Sequence, residues 1–401
     1  MTDAPAVPAP TELPRVLAAT LLTQAAATWA MLAMAAVAPL AAQGLGVAAV
    51  MIGYQITLAY AAASATSFVA AGLTARWGPV RISQAALVSA AAGAGLAAVG
   101  ALWGVAAAAV LRGVGYGLTN PAASQLLAAR TDPARRSFVF SIKQTGVPLG
   151  AALAGLLTPP LASWLGWQAA VAAVAPAALA LALALEPARK RWDTETGPAG
   201  DLMAAARAGA RLVWRDPGLK RLALASVCFG MVQLSLMSFV VTYAVAELAF
   251  SAIAAGALLA AVQAAGASGR LGWGWIADRL GANAPVLGVI AGVSALATLA
   301  FGAMTAATPA WAITAAAMVF GVSAVGWNGV YMAEIARLAP PGRAGAATGF
   351  AAVLGFGGVV IGPAAFVQLH GALGGYGPAF LTLAVPAVIG GALALASGRA
   401  R

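Results

Sequence analysis

The sequence contains very few of the residues from which proteins build cross-links and metal centres. Its 401 residues include one cysteine, Cys228, and one histidine, His370. A single cysteine excludes a disulfide within the chain. A zinc site is not expected either, because such sites are built mainly from several cysteine and histidine ligands. No metal and no cofactor are therefore predicted.

Charged residues are also scarce. They make up 8% of the chain, against 62% for hydrophobic residues, whereas a soluble domain carries about 25% charged residues. This composition excludes a soluble globule. The excess of 22 Lys and Arg over 11 Asp and Glu is typical of nucleic-acid binding, but it is divided among short loops and no base-stacking surface accompanies it. Attraction to anionic lipid explains it better, and no nucleic-acid partner is expected.

Long apolar segments fill most of the chain. Each has about the 20 residues that a helix needs to cross a bilayer. Their continuous apolar character, without two-residue alternation, favours helices over a membrane barrel. We identify twelve, at approximately 15–41, 48–73, 82–103, 105–129, 138–159, 167–186, 220–245, 250–276, 284–304, 309–336, 345–368 and 377–397.

The basic residues predict the topology. All but three of the Lys and Arg residues lie in the tails or in every second connection between apolar segments, and the other connections contain none. Cytoplasmic loops retain positive charge. The sequence therefore predicts an all-α membrane protein with twelve transmembrane helices and with both termini in the cytoplasm.

The longest connection divides the apolar segments into six and six. We predict a disordered tail at 1–13, an N-terminal six-helix bundle at 14–186, a cytoplasmic linker at 187–219 and a C-terminal six-helix bundle at 220–401. This arrangement would place a binding site between two bundles.

The linker contains a predicted amphipathic helix that begins after Asp201. Arg207, Arg211 and Arg215 recur every four residues and therefore share one face. A basic amphipathic helix of this kind is typical of a segment lying on the inner leaflet. A regulatory binding segment is the alternative.

The two halves also resemble each other in sequence. The segment 129–136 after the fourth apolar stretch and the segment 336–343 after the tenth match at four of eight positions. The same offset carries Gly150 and Gly155 onto Gly357 and Gly362. A repeated six-helix unit indicates two bundles with a site at their interface.

Two short motifs stand out in the sequence, Gly274-x-x-x-Asp278-Arg279-x-Gly281 and Arg112-Gly-Val-Gly-Tyr-Gly117. The first resembles the loop signature of the major facilitator superfamily, and the second resembles the fourth-span motif of that superfamily. In the first-half copy of the loop, Ala75 replaces the usual aspartate. The resemblance implies two bundles that rock about a central cavity, with a charged loop contact that is weakened in the first half and intact in the second. The residues expected at this gating loop are Gly274, Asp278, Arg279, Gly281, Glu334 and Arg337.

Arg112, Lys143 and Arg270 lie inside apolar segments, where a charge costs at least about 2.5–3.5 kcal/mol. From their distance to the segment ends, Arg270 lies about 9 Å deep and Arg112 about 12 Å deep. No Asp or Glu occurs deep in any apolar segment. A bound anion would neutralise these cations, and a guanidinium group suits a carboxylate through two parallel hydrogen bonds.

Arg270-x-x-x-Gly274-x-x-x-Asp278 resembles the eighth span of oxalate/formate exchangers and monocarboxylate transporters, which implies that Arg270 contacts a substrate carboxylate. The alternative is that Arg270 bonds to carbonyl groups or to Asp278. Arg112 either contacts substrate or bonds to backbone carbonyls across spans. Lys143 is a candidate for contact with the substrate or with a coupling proton.

Polar and aromatic residues near the middle of the spans complete the predicted substrate site. Each could instead form an ordinary hydrogen bond between helices. The two mid-span tryptophans could close over a substrate or simply pack. The residues are Gln24, Trp29, Tyr116, Asn120, Gln233, Gln263, Trp327, Asn328 and Tyr331.

These features together predict a secondary transporter for a small, monocarboxylate-like organic anion. It would work by alternating access in a bacterial-type inner membrane, as proton symport or anion exchange, and as a monomer. Efflux of a hydrophobic drug or metabolite is the alternative function. An enzyme is not expected, because the sequence has no nucleotide-binding loop, metal-ligand cluster or Ser/His/Asp set.

Overall fold

A computed structural model describes residues 12–128, 130–131, 136–193, 202–340 and 344–398. All regular structure in these ranges is helical. Nearly all of the predicted disordered tail, the Asp201 cap and parts of the two matching loop segments lie outside the described residues.

The helices are α1 (Leu13–Ala36), α2 (Ala38–Leu45), α3 (Gly53–Trp77), α4 (Pro79–Ala97), α5 (Leu102–Ala128), α6 (Arg136–Gln144), α7 (Gly146–Ala172), α8 (Val174–Trp192), α9 (Leu202–Arg215), α10 (Pro217–Ala246), α11 (Ala252–Leu280), α12 (Asn283–Gly302), α13 (Ala310–Ala324), α14 (Asn328–Leu338), α15 (Ala344–Leu373), α16 (Tyr376–Thr382) and α17 (Ala384–Gly398). A short 3₁₀ turn, Ala49–Ile52, precedes α3.

The helices confirm an all-α membrane fold. In the described part of the chain, ten helical segments are long and apolar enough to cross a membrane, and a pair bent by 106° brings the number to eleven. The predicted stretch 167–186 falls on the last turns of α7 and on α8, after a break at Gly166, where φ is 83°. The count of twelve spans and the cytoplasmic location of the termini remain predictions.

Helix α1 begins at one end of the molecule, here called the terminal end. The opposite end, where α1 stops and α3 begins, is called the distal end. Helices α1–α8 form an N-terminal group and α10–α17 a C-terminal group, which meet mainly through α7 against α11 and α3 against α15. The predicted bundle boundaries at 187 and 219 remain predictions.

Glycine brings helices from the two groups together at the distal end. A Cβ atom on Gly256 of α11 would overlap the carbonyl oxygen of Gly155 of α7, and a Cβ on Gly155 would overlap that of Gly256. At the same end, the Gln368 amide of α15 donates a hydrogen bond to the Tyr54 hydroxyl of α3. These two contacts join the groups at the distal end. The first depends on glycine, because larger side chains would hold α7 and α11 apart.

Helix α9 packs on α15, α10 and α3, so it contacts both groups. Val213 is buried on its inner side, and Arg207, Arg211 and Arg215 are exposed. The Lys220 ammonium lies 5.3 Å from the centre of the Trp214 ring. The exposed arginine face suits an anionic membrane surface, and its position on the inner leaflet remains a prediction.

Asp193, just after α8, caps the first turn of α4. Its carboxylate accepts hydrogen bonds from the backbone N–H groups of Val80 at 2.7 Å and Arg81 at 3.1 Å. Gly78 precedes α4 with a φ of 89°, and a Cβ there would overlap the Asp193 side chain. Burial raises the pKa of the Asp193 carboxyl, whereas the two N–H donors oppose that shift. The Asp193 carboxylate, which follows α8, thus stabilises the connection between α3 and α4. This is the connection whose motif has Ala75 in place of the usual aspartate.

Substitution of this cap should lower stability in a graded way. Asp193→Ala removes both acceptors and should lower the free energy of unfolding by about 1 kcal/mol. Asp193→Asn keeps one oxygen acceptor without the charge that burial disfavours, so its loss should be smaller. Thermal unfolding of the purified protein in detergent measures both. Equal losses for the two variants would contradict this account of the cap.

Candidate functional site

Each of the three guanidinium nitrogens of Arg112 on α5 donates to a neutral oxygen. Its Nε donates to the Ala108 carbonyl at 3.2 Å, one terminal nitrogen donates to the Ala30 carbonyl at 3.2 Å, and the other donates to Gln55 Oε1 at 2.7 Å. Only 1% of the residue is exposed. The guanidinium group therefore joins α1, α3 and α5. This geometry favours the structural alternative for Arg112 over contact with substrate.

Lys143 of α6 lies in a polar cluster formed with Gln24, Thr119 and Asn120. Its ammonium donates to Gln24 Oε1 at 2.9 Å and to Asn120 Oδ1. Thr119 also donates to Gln24 Oε1, at 3.1 Å. Two of the three ammonium donors thus have neutral acceptors, and Lys143 makes no ion pair with a carboxylate in the part of the chain that the structure describes. The polar cluster joins α1, α5 and α6 around a buried amine.

Arg270 of α11 reaches across the contact between the two groups. Its Nε donates to the Val325 carbonyl within the C-terminal group at 3.0 Å, and a terminal nitrogen donates to the Gln144 carbonyl of the N-terminal group at 3.3 Å. Its side chain is partly exposed. Like Arg112 and Lys143, Arg270 has neutral partners and no acidic partner among the described residues.

Arg270 bonds to the N-terminal group one residue away from Lys143. The Gln144 carbonyl that accepts from Arg270 belongs to the residue directly after Lys143, whereas the Lys143 ammonium itself turns to Gln24 and Asn120. The ring of Tyr116 packs edge-on against Tyr60 with the ring centres 5.5 Å apart. The structure therefore places Arg270 beside the chain segment that carries Lys143, and Asn120 is the partly exposed partner of that lysine.

Four predicted residues on the C-terminal side form a second cluster. Gln233 Oε1 accepts hydrogen bonds from Trp327 Nε1 at 3.0 Å and from Asn328 Nδ2 at 3.4 Å. The Trp327 ring lies 5.1 Å from Tyr331 and 5.2 Å from Phe229, measured between ring centres. This amide–aromatic cluster connects α10 to α14, and Asn328 is its partly exposed member.

The other two predicted residues differ from each other in their bonding. Trp29 Nε1 donates to the Thr158 hydroxyl at 3.2 Å, which joins α1 to α7 and favours the packing alternative for this tryptophan. Gln263 of α11 is fully buried, and neither its Nε2 nor its Oε1 has a hydrogen-bond partner in the described structure.

A sequence model of the Major Facilitator Superfamily matches residues 18–363. The chain belongs to this superfamily. Its family and fold are those of a multi-pass membrane transporter, and the predicted superfamily membership is confirmed.

Two curated relatives are uncharacterized MFS-type transporters. An uncharacterized MFS-type transporter of Mycobacterium tuberculosis strain CDC 1551 is 28% identical over 269 residues, which cover 66% of this chain and 58% of that protein. A second, from strain H37Rv, is 28% identical over 215 residues, covering 52% of this chain and 46% of that protein. The transporter thus spans about half the length of the relatives that it matches.

Solved structures share the fold at low sequence identity. A bacterial homolog of the human lysosomal transporter Spinster, inward-facing and unoccupied, has a TM-score of 0.81 at 15% identity and covers 98% of both chains. The peptide transporter POT in complex with sulfate has a TM-score of 0.77 at 17% identity, covering 97% of this chain and 95% of that one. None of these comparisons confirms the oxalate/formate or monocarboxylate branch.

The predicted gating residues divide into an ion pair on α14 and a group at the end of α11. Arg337 donates two hydrogen bonds of 2.7 Å to the two carboxylate oxygens of the buried Glu334. The Arg279 guanidinium lies 5.3 Å from the Trp275 ring centre. The other motif residues, Gly274, Asp278 and Gly281, lie at the end of α11, where Gly281 adopts a φ of 59°. Asp278 is exposed and has no ion pair within the described ranges, and the charged loop contact stays a prediction.

The structure adds groups that the sequence did not indicate. Thr119 belongs to the polar cluster, and its position three residues after Tyr116 on the same helix face was an available signal. Phe229 belongs to the amide–aromatic cluster. The carbonyl groups of Val325 and Gln144 bind Arg270, and a backbone carbonyl leaves no trace in residue type.

The glycine contact at the distal end allows a test of closure. Gly256→Ala would place a methyl group against the Gly155 carbonyl, and overpacking of this kind costs about 1–3 kcal/mol. The distal end should therefore open in a larger fraction of molecules. Gly272→Ala, on the same helix with open space around it, is the matched control and should leave closure unchanged.

Nitroxide labels at Trp103 and Trp311, exposed at the distal starts of α5 and α13, would report the opening after Cys228 is replaced by Ser. Pulsed electron–electron double resonance should show longer distances between the two nitroxide labels in Gly256→Ala than in the protein with glycine at that position. An unchanged distance distribution in that variant would contradict the role assigned to the glycine contact.

Proposed function

We propose that this transporter carries a small organic anion with a carboxylate group, which Arg270 and Lys143 bind between the two helix groups. The supporting observation is that Arg270 bonds across the interface to the residue next to Lys143, and that both cations have only neutral partners among the described residues. An anion close to both would be strongly stabilised, because Coulomb attraction is strong in a medium of low dielectric constant. A monocarboxylate-like substrate fits this site because a guanidinium group binds carboxylate through paired hydrogen bonds.

The bond from Arg270 to the Gln144 carbonyl suggests how binding is coupled to movement. A substrate carboxylate is a stronger acceptor than a backbone carbonyl and would compete for the same guanidinium nitrogen. Binding would then release a link between the groups. A ligand can shift a conformational equilibrium only through such a difference in contacts between the two states.

The proposed cycle is alternating access by two six-helix bundles with twelve spans in all. The protein would work as a monomer in a bacterial-type inner membrane, with both termini in the cytoplasm. In that orientation the closed distal end would face outward. Asn120, Asn328 and Tyr116 would contribute neutral contacts to the substrate.

Lys143 is the proposed carrier of a coupling proton. A buried ammonium group with only amide oxygens around it is costly in its charged form. The arrival of an anion would lower that cost and favour protonation. The transporter would then work as a proton symporter, and anion exchange is the alternative mode.

Replacement of Arg270 should abolish anion transport. Arg270→Gln removes the charge that faces the carboxylate, and loss of one partner of a buried charged pair costs about 2–5 kcal/mol, which corresponds to a fall of about 30-fold or more in affinity. Uptake of radiolabelled L-lactate, pyruvate and acetate into proteoliposomes measures the effect, corrected for protein-free liposomes. Arg81→Gln, at an exposed arginine, is the matched control.

Thermal unfolding of the same variants would separate loss of binding from loss of folding. The three carboxylates should stabilise the unsubstituted protein and not the Arg270→Gln variant. Full uptake by folded Arg270→Gln would refute the proposal. Stabilisation by neutral hydrophobic compounds and by none of the acids would favour efflux instead.

Lys143→Arg should separate transport from proton coupling. Arginine keeps its proton at all accessible pH values, so the variant can still bind an anion but cannot release a proton in each cycle. We expect uptake driven by a pH gradient to fall about tenfold or more, while exchange of internal for external L-lactate continues. Equal pH-driven uptake by both proteins would show that Lys143 does not carry the proton.

A further inference from the structure

Gln263 is buried without any hydrogen bond. It lies on α11 with no exposed surface, and both its Nε2 and its Oε1 are unpartnered. The other buried glutamines of the described chain keep at least one bond: Gln24, Gln55, Gln84 and Gln233. An amide with neither group satisfied is therefore exceptional in this structure.

Such an amide is expensive to bury. An amide moved from water into apolar surroundings without hydrogen bonds is disfavoured by several kcal/mol (about 2–7, depending on the reference state). Buried polar groups in native proteins are nearly always paired, and an exception calls for a specific explanation. Methionine or leucine would fill the same volume without that cost. The amide is therefore expected to have a partner in another state of the transport cycle.

The position of Gln263 places it on the interface between the two groups. Gly256, Gln263 and Arg270 are spaced seven residues apart, so each lies within about 20° of the next around α11 and all three fall within about 40°. Gly256 contacts Gly155 of the N-terminal group, and Arg270 donates to the Gln144 carbonyl of the same group. Gln263 thus shares its face of α11 with two residues that meet the N-terminal helices.

We propose that Gln263 binds the end of the substrate opposite its carboxylate, and that this end carries a hydroxyl group. This inference rests on the proposed function, in which Arg270 binds the carboxylate. An amide offers both a donor and an acceptor, and a hydroxyl group complements both. The substrate class is therefore a short ω-hydroxy acid rather than a plain fatty acid.

The spacing along α11 limits the length of this substrate. Seven residues of helix separate the Cα atoms of Gln263 and Arg270 by about 10 Å along the helix axis, and this rise sets the scale for the distance between their polar groups. Hydrogen bonds of about 2.9 Å at each end leave about 4–5 Å between the carboxylate and the hydroxyl oxygen. A chain of four carbons, as in 4-hydroxybutyrate, spans such a distance.

Access to Gln263 requires the helices to separate on its distal side. The amide is fully buried while Gly256 and Gly155 are in contact, so the hydroxyl end binds when that contact opens. The free energy gained by satisfying the amide would then favour the distally open state. Gln263 is in this way a specificity residue whose bond forms in one state of the cycle and is absent in the other.

Isothermal titration of the full-length protein in detergent with two acids of the same shape tests the inference. The probes are 4-hydroxybutyrate and pentanoate, in which a methyl group replaces the hydroxyl. The unsubstituted protein should bind 4-hydroxybutyrate at least about tenfold more tightly, because pentanoate leaves the buried amide unpaired. In Gln263→Met this preference should disappear, with pentanoate affinity unchanged or increased.

Two further variants separate recognition from folding. Gln263→Met should unfold at a higher temperature than the unsubstituted protein, since it removes an unpaired polar group. Gln263→Asn keeps the amide on a side chain that is shorter by one methylene group. This variant should still prefer 4-hydroxybutyrate over pentanoate, but by a smaller factor. Gln43→Met, at an exposed glutamine near the end of α2, is the matched control and should keep the full preference.

The outcomes distinguish this inference from the proposed function. If both acids bind with equal affinity, or if Gln263→Met keeps the preference for 4-hydroxybutyrate, Gln263 has no role in recognition and the carboxylate site stands. Tighter binding of pentanoate by the unsubstituted protein would also overturn the inference. If neither acid binds, the proposed function itself fails.

Discussion

The cost of placing a polar group in apolar surroundings governs how this transporter is built. A helix satisfies its own backbone, so the remaining problem is the side chains that carry charge. The structure solves it with neutral oxygens. Arg112 takes two carbonyls and an amide, Lys143 takes two amides, and Arg270 takes two carbonyls. Neutral oxygens solvate each of these groups without supplying the opposite charge that a carboxylate would.

The position of each cation relative to the interface decides which of these two roles it can have. Arg112 is enclosed within the N-terminal group, and all three of its guanidinium nitrogens donate to oxygens of helices in that same group. Arg270 divides its bonds between the two groups, so relative movement of the groups must break one of them. The same residue type therefore stabilises one part of the fold and responds to movement in another.

Much of this architecture was predictable because long apolar segments and isolated charges are properties of residue type. The positions of Arg112, Lys143 and Arg270 needed only hydropathy to be singled out. Their partners could not be predicted, since the carbonyls of Val325 and Gln144 belong to the backbone and depend on helix packing. The break at Gly166 and the replacement of a missing loop carboxylate by Asp193 likewise depend on which segments meet in space.

The glycine pair at the distal end has a mechanical consequence. Where Gly155 of α7 meets Gly256 of α11, backbone lies directly on backbone and no side chains interlock. Surfaces that interdigitate must change rotamers before they separate, and long side chains lose conformational entropy each time they close again. A smooth seam of main-chain atoms has neither requirement. The two helices can therefore separate and come together again with little barrier, as an interface that opens and closes in each proposed transport cycle must.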